Sequence, residues 1–127
     1  MTNKSEIGKL GEDLACKYLE QKGFQIIERN FRKPWGEIDI ISQDKNGALV
    51  FVEVKTMRQY GNAAIAALNP EENITKQKLE KIKRISYLYA NANPELINNE
   101  IGWRVDAITI SVNNLPLEYK VNHFENI

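Results

Sequence analysis

The stretch Gly36–Lys55, GEIDIISQDKNGALVFVEVK, decides how this chain is read. Two apolar, β-branched runs flank an Asn46-Gly47 turn, the pattern of a β-hairpin. Inside those runs stand Glu37, Asp39, Glu53 and Lys55, where charge is costly to bury.

Side chains alternate across a strand, so Val50, Val52 and Val54 share one face and Leu49, Phe51, Glu53 and Lys55 the other. In the first run Ile38 and Ile40 oppose Glu37, Asp39 and Ile41. The valine and isoleucine faces suit a core, and the charges gather opposite them. Whether the two charged faces coincide depends on the loop. A three-residue loop, Lys45-Asn46-Gly47, with glycine in the left-handed position, pairs Asp44 with Ala48 and sets Asp39 opposite Glu53. A two-residue turn would put them on opposite faces.

Like charges opposed in a sheet repel. Two carboxylates held together make sense with a cation between them, or with one of them protonated. Glu12 is a candidate third acid, because it follows Gly11, where a helix can approach the sheet closely. Lys55 can pair with Glu53 or hold a water. An acid on one strand and Glu-x-Lys on the next is the arrangement needed for metal-assisted phosphodiester hydrolysis. The plain alternative is a solvated strand face whose charges do nothing specific.

The remaining sequence narrows the chemistry. The 127 residues suit one domain spanning 1–127, and 43% apolar with 27% charged residues is a globular composition. The 17 basic and 17 acidic residues cancel, so only local patches can attract nucleic acid. One cysteine, Cys16, excludes an intrachain disulfide, and one histidine, His123, excludes a Cys/His metal cluster. Any metal site must then use carboxylates, which favours Mg²⁺ or Mn²⁺. The charged N-terminal stretch lacks a signal peptide's apolar core, and no segment is apolar enough to span a bilayer, so a cytoplasmic location and no membrane partner are expected.

Residues 3–22 read as an amphipathic helix with an Asn3/Glu6 capping box, and FQIIERN as a strand. After the hairpin a polar stretch leads to a second helix over 74–91, striped by Leu79, Ile82, Ile85 and Tyr89. WRVDAITISV is a strong strand, and LEYKVNHFE adds an edge strand. Short loops make the early strands antiparallel, and the strand after the second helix can return parallel. The expected class is α/β, a mixed sheet flanked by helices in the order α-β-β-β-α-β with an extra edge strand.

GKLGEDLACKYLEQKGFQIIERNFR, GEIDII, VFVEVKT, the lysine-bearing helix and WRVDAITI together resemble the small bacterial YraN-like family. That family is predicted to be endonuclease-like and is similar to Holliday-junction resolvases of the PD-(D/E)xK restriction-endonuclease-like superfamily. The resemblance implies that Asp39 and Glu53 are metal-binding acids, Lys55 the catalytic lysine and Glu12 a helix-borne acid near the metal. It implies phosphate contact by Lys76, and leaves Glu37, Arg104 and Asp106 without a role. Ile38 stands where the superfamily name has proline. By analogy with resolvases, branched or structured DNA is the expected partner and a homodimer the expected assembly.

TKQKLEKIKR, residues 75–84, carries five basic residues against one acid. Lys76 and Lys83 share a helical face and can neutralise phosphates, with Arg32 and Arg58 extending the track beside Arg29 and Lys33. Lys78, Lys81 and Arg84 read as a solvated face. Trp35 can stack on an unpaired base, but reads first as an aromatic covering the sheet edge; Trp103 reads as core or interface, and Cys16 as an inert small residue. The leading function is a Mg²⁺- or Mn²⁺-dependent endonuclease, and its rival is a non-catalytic nucleic-acid-binding or interaction module on the same fold.

Overall fold

The strand Leu49–Arg58 (β3) is apolar on both faces at its start because helices cover both. The computed structural model describes residues 4–58, 74–114 and 117–127. Their order is α1 (Lys4–Gln21), β1 (Gln25–Lys33), β2 (Gly36–Gln43), β3, α2 (Lys76–Ala92), a short 3₁₀ turn at Pro94–Leu96, β4 (Trp103–Asn114) and β5 (Leu117–Phe124). The strands form one sheet in the order β1-β2-β3-β4-β5. Only the β3–β4 pairing is parallel, because α2 lies between those strands in sequence. This is the expected mixed, helix-flanked α/β sheet of restriction-endonuclease-like type, with the edge strand present. The Asn3 capping position and the polar stretch over 59–73 lie outside the described residues. No helix among the described residues is long and apolar enough to cross a membrane.

The hairpin has its three-residue loop. Asp44 N–H donates to the Ala48 carbonyl at 2.9 Å, and Gly47 adopts φ +96°, the left-handed conformation the turn requires. Asp44 Oδ1 accepts from Asn46 N–H and Ala48 N–H, both at 2.9 Å, which fixes the loop from inside. The register then runs Gln43↔Leu49, Ser42↔Val50, Ile41↔Phe51 and Ile40↔Val52.

Val50, Val52 and Ile40 pack with Ala15, Cys16 and Leu19 of α1 and with Ile108 and Ile110 of β4. Leu49, Phe51 and Ile41 pack with Ile82 and Ile85 of α2 and with Val105. The charge-bearing face of β3 is therefore covered as well, and Glu53 is only 7% exposed. Ile38 departs from strict alternation: it joins Ile41 under α2 and not Ile40 under α1. The break lies at Asp39: β2 parts from β3 there, and on its other edge the pairing with β1 passes from Arg29↔Ile40 to Phe31↔Ile38 across Asn30, which adopts φ +52°. Cys16 is buried in the first cluster, as an inert small residue should be.

Arg104 and Asp106, which sequence left without a role, hold the far end of the sheet together. Asp106 is fully buried and accepts from Arg104 Nε at 2.9 Å and from the Asn126 N–H at 2.9 Å; its Oδ2 lies 2.7 Å from His123 Nε2. Arg104 also reaches Asp44 at 3.0 Å, and His123 Nδ1 lies 3.1 Å from the Tyr18 hydroxyl. One network thus joins the hairpin loop, β4, β5 and α1. Burial pushes the Asp106 carboxyl up, but its hydrogen bonds with His123, Arg104 and Asn126 outweigh burial and hold it below the usual carboxylate range.

Gly11 brings α1 down onto β3. A Cβ there would overlap the Thr56 side chain. Gly11→Ala in an exposed helix would gain about 1 kcal/mol; here the overlap should cost roughly 1–3 kcal/mol and reverse the sign. Urea unfolding should show a net loss of stability for Gly11→Ala, partly recovered by adding Thr56→Ala. A gain from Gly11→Ala would contradict this packing.

Candidate functional site

The fork where β2 leaves β3 gathers the charged residues of the hairpin. Continuing the register one step past Ile40↔Val52 places Asp39 opposite Glu53. The backbone pairing does not continue there. Asp39 Oδ2 instead accepts the Val54 N–H at 2.8 Å, so a side chain takes the place of a ladder bond. Gly36 opens β2 at φ +148°, pressed so close to α2 that a Cβ would overlap the Ile85 side chain. The strand is thereby held against the helix just before Asp39.

The electrostatics at the fork are unbalanced. Burial, and then the charge of Glu53, push Asp39 from the ordinary aspartate value up to about 7. Its hydrogen bond from Val54 favours the carboxylate but does not win, and a hydrogen bond between Asp39 and Glu53 favours the shared proton. Glu12, half-buried on α1, is also raised, first by burial and then by the charge of Asp39, against Arg29 and Arg32. Asp39 thus feels Glu53 from its own sheet and Glu12 from α1.

Among the described residues Lys78 pairs directly with Glu53, and sequence reasoning assigned this lysine to solvent. Lys78 Nζ lies 2.7 Å from Glu53 Oε1. Thr75 caps α2 by accepting the Lys78 N–H at 3.1 Å, which sets the first turn over the end of β3. The hydrogen bond to Glu53 raises the Lys78 pKa further. The signal for Lys78 was present: Lys78, Ile82, Ile85 and Tyr89 recur at i, i+4, i+7 and i+11, so the lysine, itself still exposed, continues the line of the apolar stripe towards the sheet.

The other candidates are placed as follows. Lys55, on the same strand as Glu53, is exposed and makes no ion pair among the described residues. Arg32 is exposed on β1, its Nε 3.4 Å from Glu37 Oε2. Arg58 ends β3 and is half-buried. Lys76 and Lys83 are exposed on α2, and Lys76 is about 200° around the helix from Lys78, facing away from Glu53. The structure therefore brings together Asp39, Glu53, Glu12 and Lys78, with Lys55 beside them. Trp35 is 60% exposed and does not cover the sheet edge. Trp103 is half-buried, edge to face with Phe51 at 5.7 Å.

The donors suit a hard divalent cation better than zinc, since they are carboxylates with neither thiolate nor imidazole. Among the described residues no three acids, histidines or cysteines already form a metal-sized cage. A bound ion would rest on Asp39 and Glu53 and would fill out its coordination with water, as Mg²⁺ does. Glu12 would act on it through charge.

Comparison with known proteins agrees with the resemblance. The profile of UPF0102, an uncharacterised protein family, matches residues 11–110, a span that runs from Gly11 through Asp106. A UPF0102 protein of Clostridium botulinum (strain Loch Maree / Type A3) is 40% identical over 121 residues, covering 95% of this chain and 92% of that protein. A UPF0102 protein of Syntrophomonas wolfei is 36% identical over 121 residues, covering 94% and 97%. One of Dictyoglomus thermophilum is 38% identical over 124 residues, covering 96% and 99%.

The fork predicts an unusual pH profile. Asp39 binds its proton more tightly in the folded than in the unfolded chain, with a pKa near 7 against 3.8. Folding stability of the metal-free protein should therefore decline as pH rises through that window and level off above it. Asp39→Asn should remove most of the decline, leaving the smaller part that burial of Glu12 contributes, and be more stable than wild type at pH 8 by at least about 1 kcal/mol. Asp106, whose depressed pKa makes stability fall on acidification instead, is common to both proteins, so their difference reports Asp39 together with the acids it repels, Glu53 and Glu12. Parallel profiles in urea unfolding with chelator present would refute this electrostatic picture.

Proposed function

The chain belongs to the uncharacterised family UPF0102, and we propose that it is a divalent-metal-dependent endonuclease acting on DNA. The observation that carries the proposal is Asp39 set opposite Glu53, with its proton held up to about 7. A stable protein has no need of two like charges at the fork of its best-packed hairpin. Strongly perturbed acids of this kind mark functional sites.

Asp39 and Glu53 would hold Mg²⁺ or Mn²⁺, which when bound supplies polarisation of a phosphate oxygen and a lowered pKa for a water. The Val54 N–H fixes the orientation of Asp39 before any ligand arrives. Lys78 neutralises Glu53 in the metal-free protein and keeps it turned towards the fork. Lys55, two residues beyond Glu53, orients the attacking water and offsets the charge that builds on the phosphate. Glu12 adds negative potential from the α1 side. Basic residues around the hairpin and α2, including Arg32, Arg58, Lys76 and Lys83, serve the backbone of branched or structured DNA, and a homodimer would supply two sites for symmetric cuts.

A second reading is a nucleic-acid-binding module without cleavage. It is favoured by the Lys78–Glu53 ion pair, which already satisfies one acid, and by the lack of a preformed three-acid cage among the described residues. In that reading DNA binds without metal and is never cut.

Labelled branched, single-stranded and duplex DNA should separate the two. Wild type should cleave at least one of them with Mg²⁺ or Mn²⁺ and none with chelator. Asp39→Asn, Glu53→Gln and Lys55→Met should each lower the rate by about a hundredfold or more, and Lys78→Met by less. No metal-dependent cleavage of any substrate, or equal cleavage by all variants, would favour the binding module.

A further inference from the structure

An aromatic cleft opens beside the fork. Trp35 stands on the turn between β1 and β2, and with Lys33 and Phe31 it faces Ile85, Leu88 and Tyr89 of α2 across a cavity of about 280 Å³. Its floor is stiff: Phe31 and Tyr89 meet edge to face at 5.1 Å, and the Tyr89 hydroxyl donates to Glu28 Oε2 at 3.2 Å. Trp35 and Leu88 remain 60% and 44% exposed, so the apolar walls are not consumed by packing.

The rim is basic. Lys33 Nζ sits 5.5 Å from the centre of the Phe31 ring. On α2, Lys81, Ile85, Leu88 and Ala92 recur at i, i+4, i+7 and i+11, so exposed Lys81 lies one turn from the cleft on its own stripe. Lys78, paired with Glu53, is three residues further back. The helix thus lays a basic track from the carboxylate pair to the aromatic cleft. Trp35, on the turn just before β2, and Asp39 within it are four residues apart, at most roughly 14 Å of extended chain, a span of a few nucleotides of one strand.

Resting on the nuclease reading above, we infer that this cleft takes an unpaired nucleobase, stacked on Trp35, from the strand whose backbone lies at Asp39 and Glu53. The substrate then carries single-stranded nucleotides beside the cut. Phosphates of that segment lie along Lys81 and Lys33. Aromatic rings bind bases of any sequence through their π-faces, but bases inside a duplex are stacked on one another and not available. A second copy of this chain is a poor occupant, because a two-fold interface would set the basic rim against itself.

The test is the binding of a fluorescein-labelled oligothymidylate and a duplex of the same length to the full chain with chelator present. Trp35→Ala should weaken single-strand binding about tenfold, Trp35→Phe should restore most of it, and duplex binding should stay unchanged. Equal loss on both ligands, or no loss, overturns the inference. So does a wild-type dimer in sedimentation that Trp35→Ala dissolves while single-strand binding is kept. Trp35-dependent single-strand binding without metal-dependent cleavage would sink the nuclease reading alone. Metal-dependent cleavage with no Trp35 effect on binding would sink the cleft alone.

Discussion

Repulsion between Asp39 and Glu53 is the constraint around which this molecule is arranged. The three-residue loop sets the two carboxylates opposite each other, and the apolar clusters on both faces of β3 prevent the strands from sliding to relieve them. A register slip of one residue would turn the buried valines and Phe51 to the wrong faces. The local response is that β2 peels away at Asp39, the Val54 N–H bonds to a carboxylate, and Lys78 reaches down from α2. Gly11 and Gly36 let α1 and β2 come close enough for these groups to feel one another.

The sheet carries two aspartates, Asp106 buried and Asp39 half-buried, with opposite fates. Asp106 is hydrogen-bonded by Arg104, His123 and the Asn126 N–H, and its pKa is driven down. Asp39 has one backbone donor and faces Glu53, and its pKa is driven up. The first pattern is that of a carboxylate built to stay ionised and hold elements together. The second is that of a site left short of positive charge, which a cation would complete. This contrast between the two aspartates supports the proposal that the fork is the working site.

Much of this was legible in the sequence. The hairpin itself followed from the two apolar runs around Asn46-Gly47, and the parallel return of β4 from the helix between; the choice of a three-residue over a two-residue loop came from the structure. The acids at 39, 53 and 12 followed from alternation and from Gly11. What was not legible arose from contacts between distant segments. Ile38 changes sides across the irregularity at Asn30 and Asp39, which alternation alone does not reveal. Lys78 was grouped with solvated lysines because its neighbours are charged; it is exposed, but its spacing to Ile82 and Ile85 puts it in line with the apolar stripe, where it reaches Glu53. Asp106 gains its meaning from His123 and Asn126, seventeen and twenty residues away and on another strand or the tail. Trp35 reads as a cover for the sheet edge until its exposure beside Leu88 is measured.

The central claim, that the carboxylate pair is kept for a cation, is tested most directly by thermal unfolding near neutral pH of wild type and Asp39→Asn, each titrated with Mn²⁺. A cation binding only the folded state should raise wild-type stability with concentration, by about 2.7 kcal/mol at a hundredfold excess over Kd. Asp39→Asn should start higher and lose that rise. A wild type indifferent to Mn²⁺, or a mutant that rises equally with it, would contradict the account.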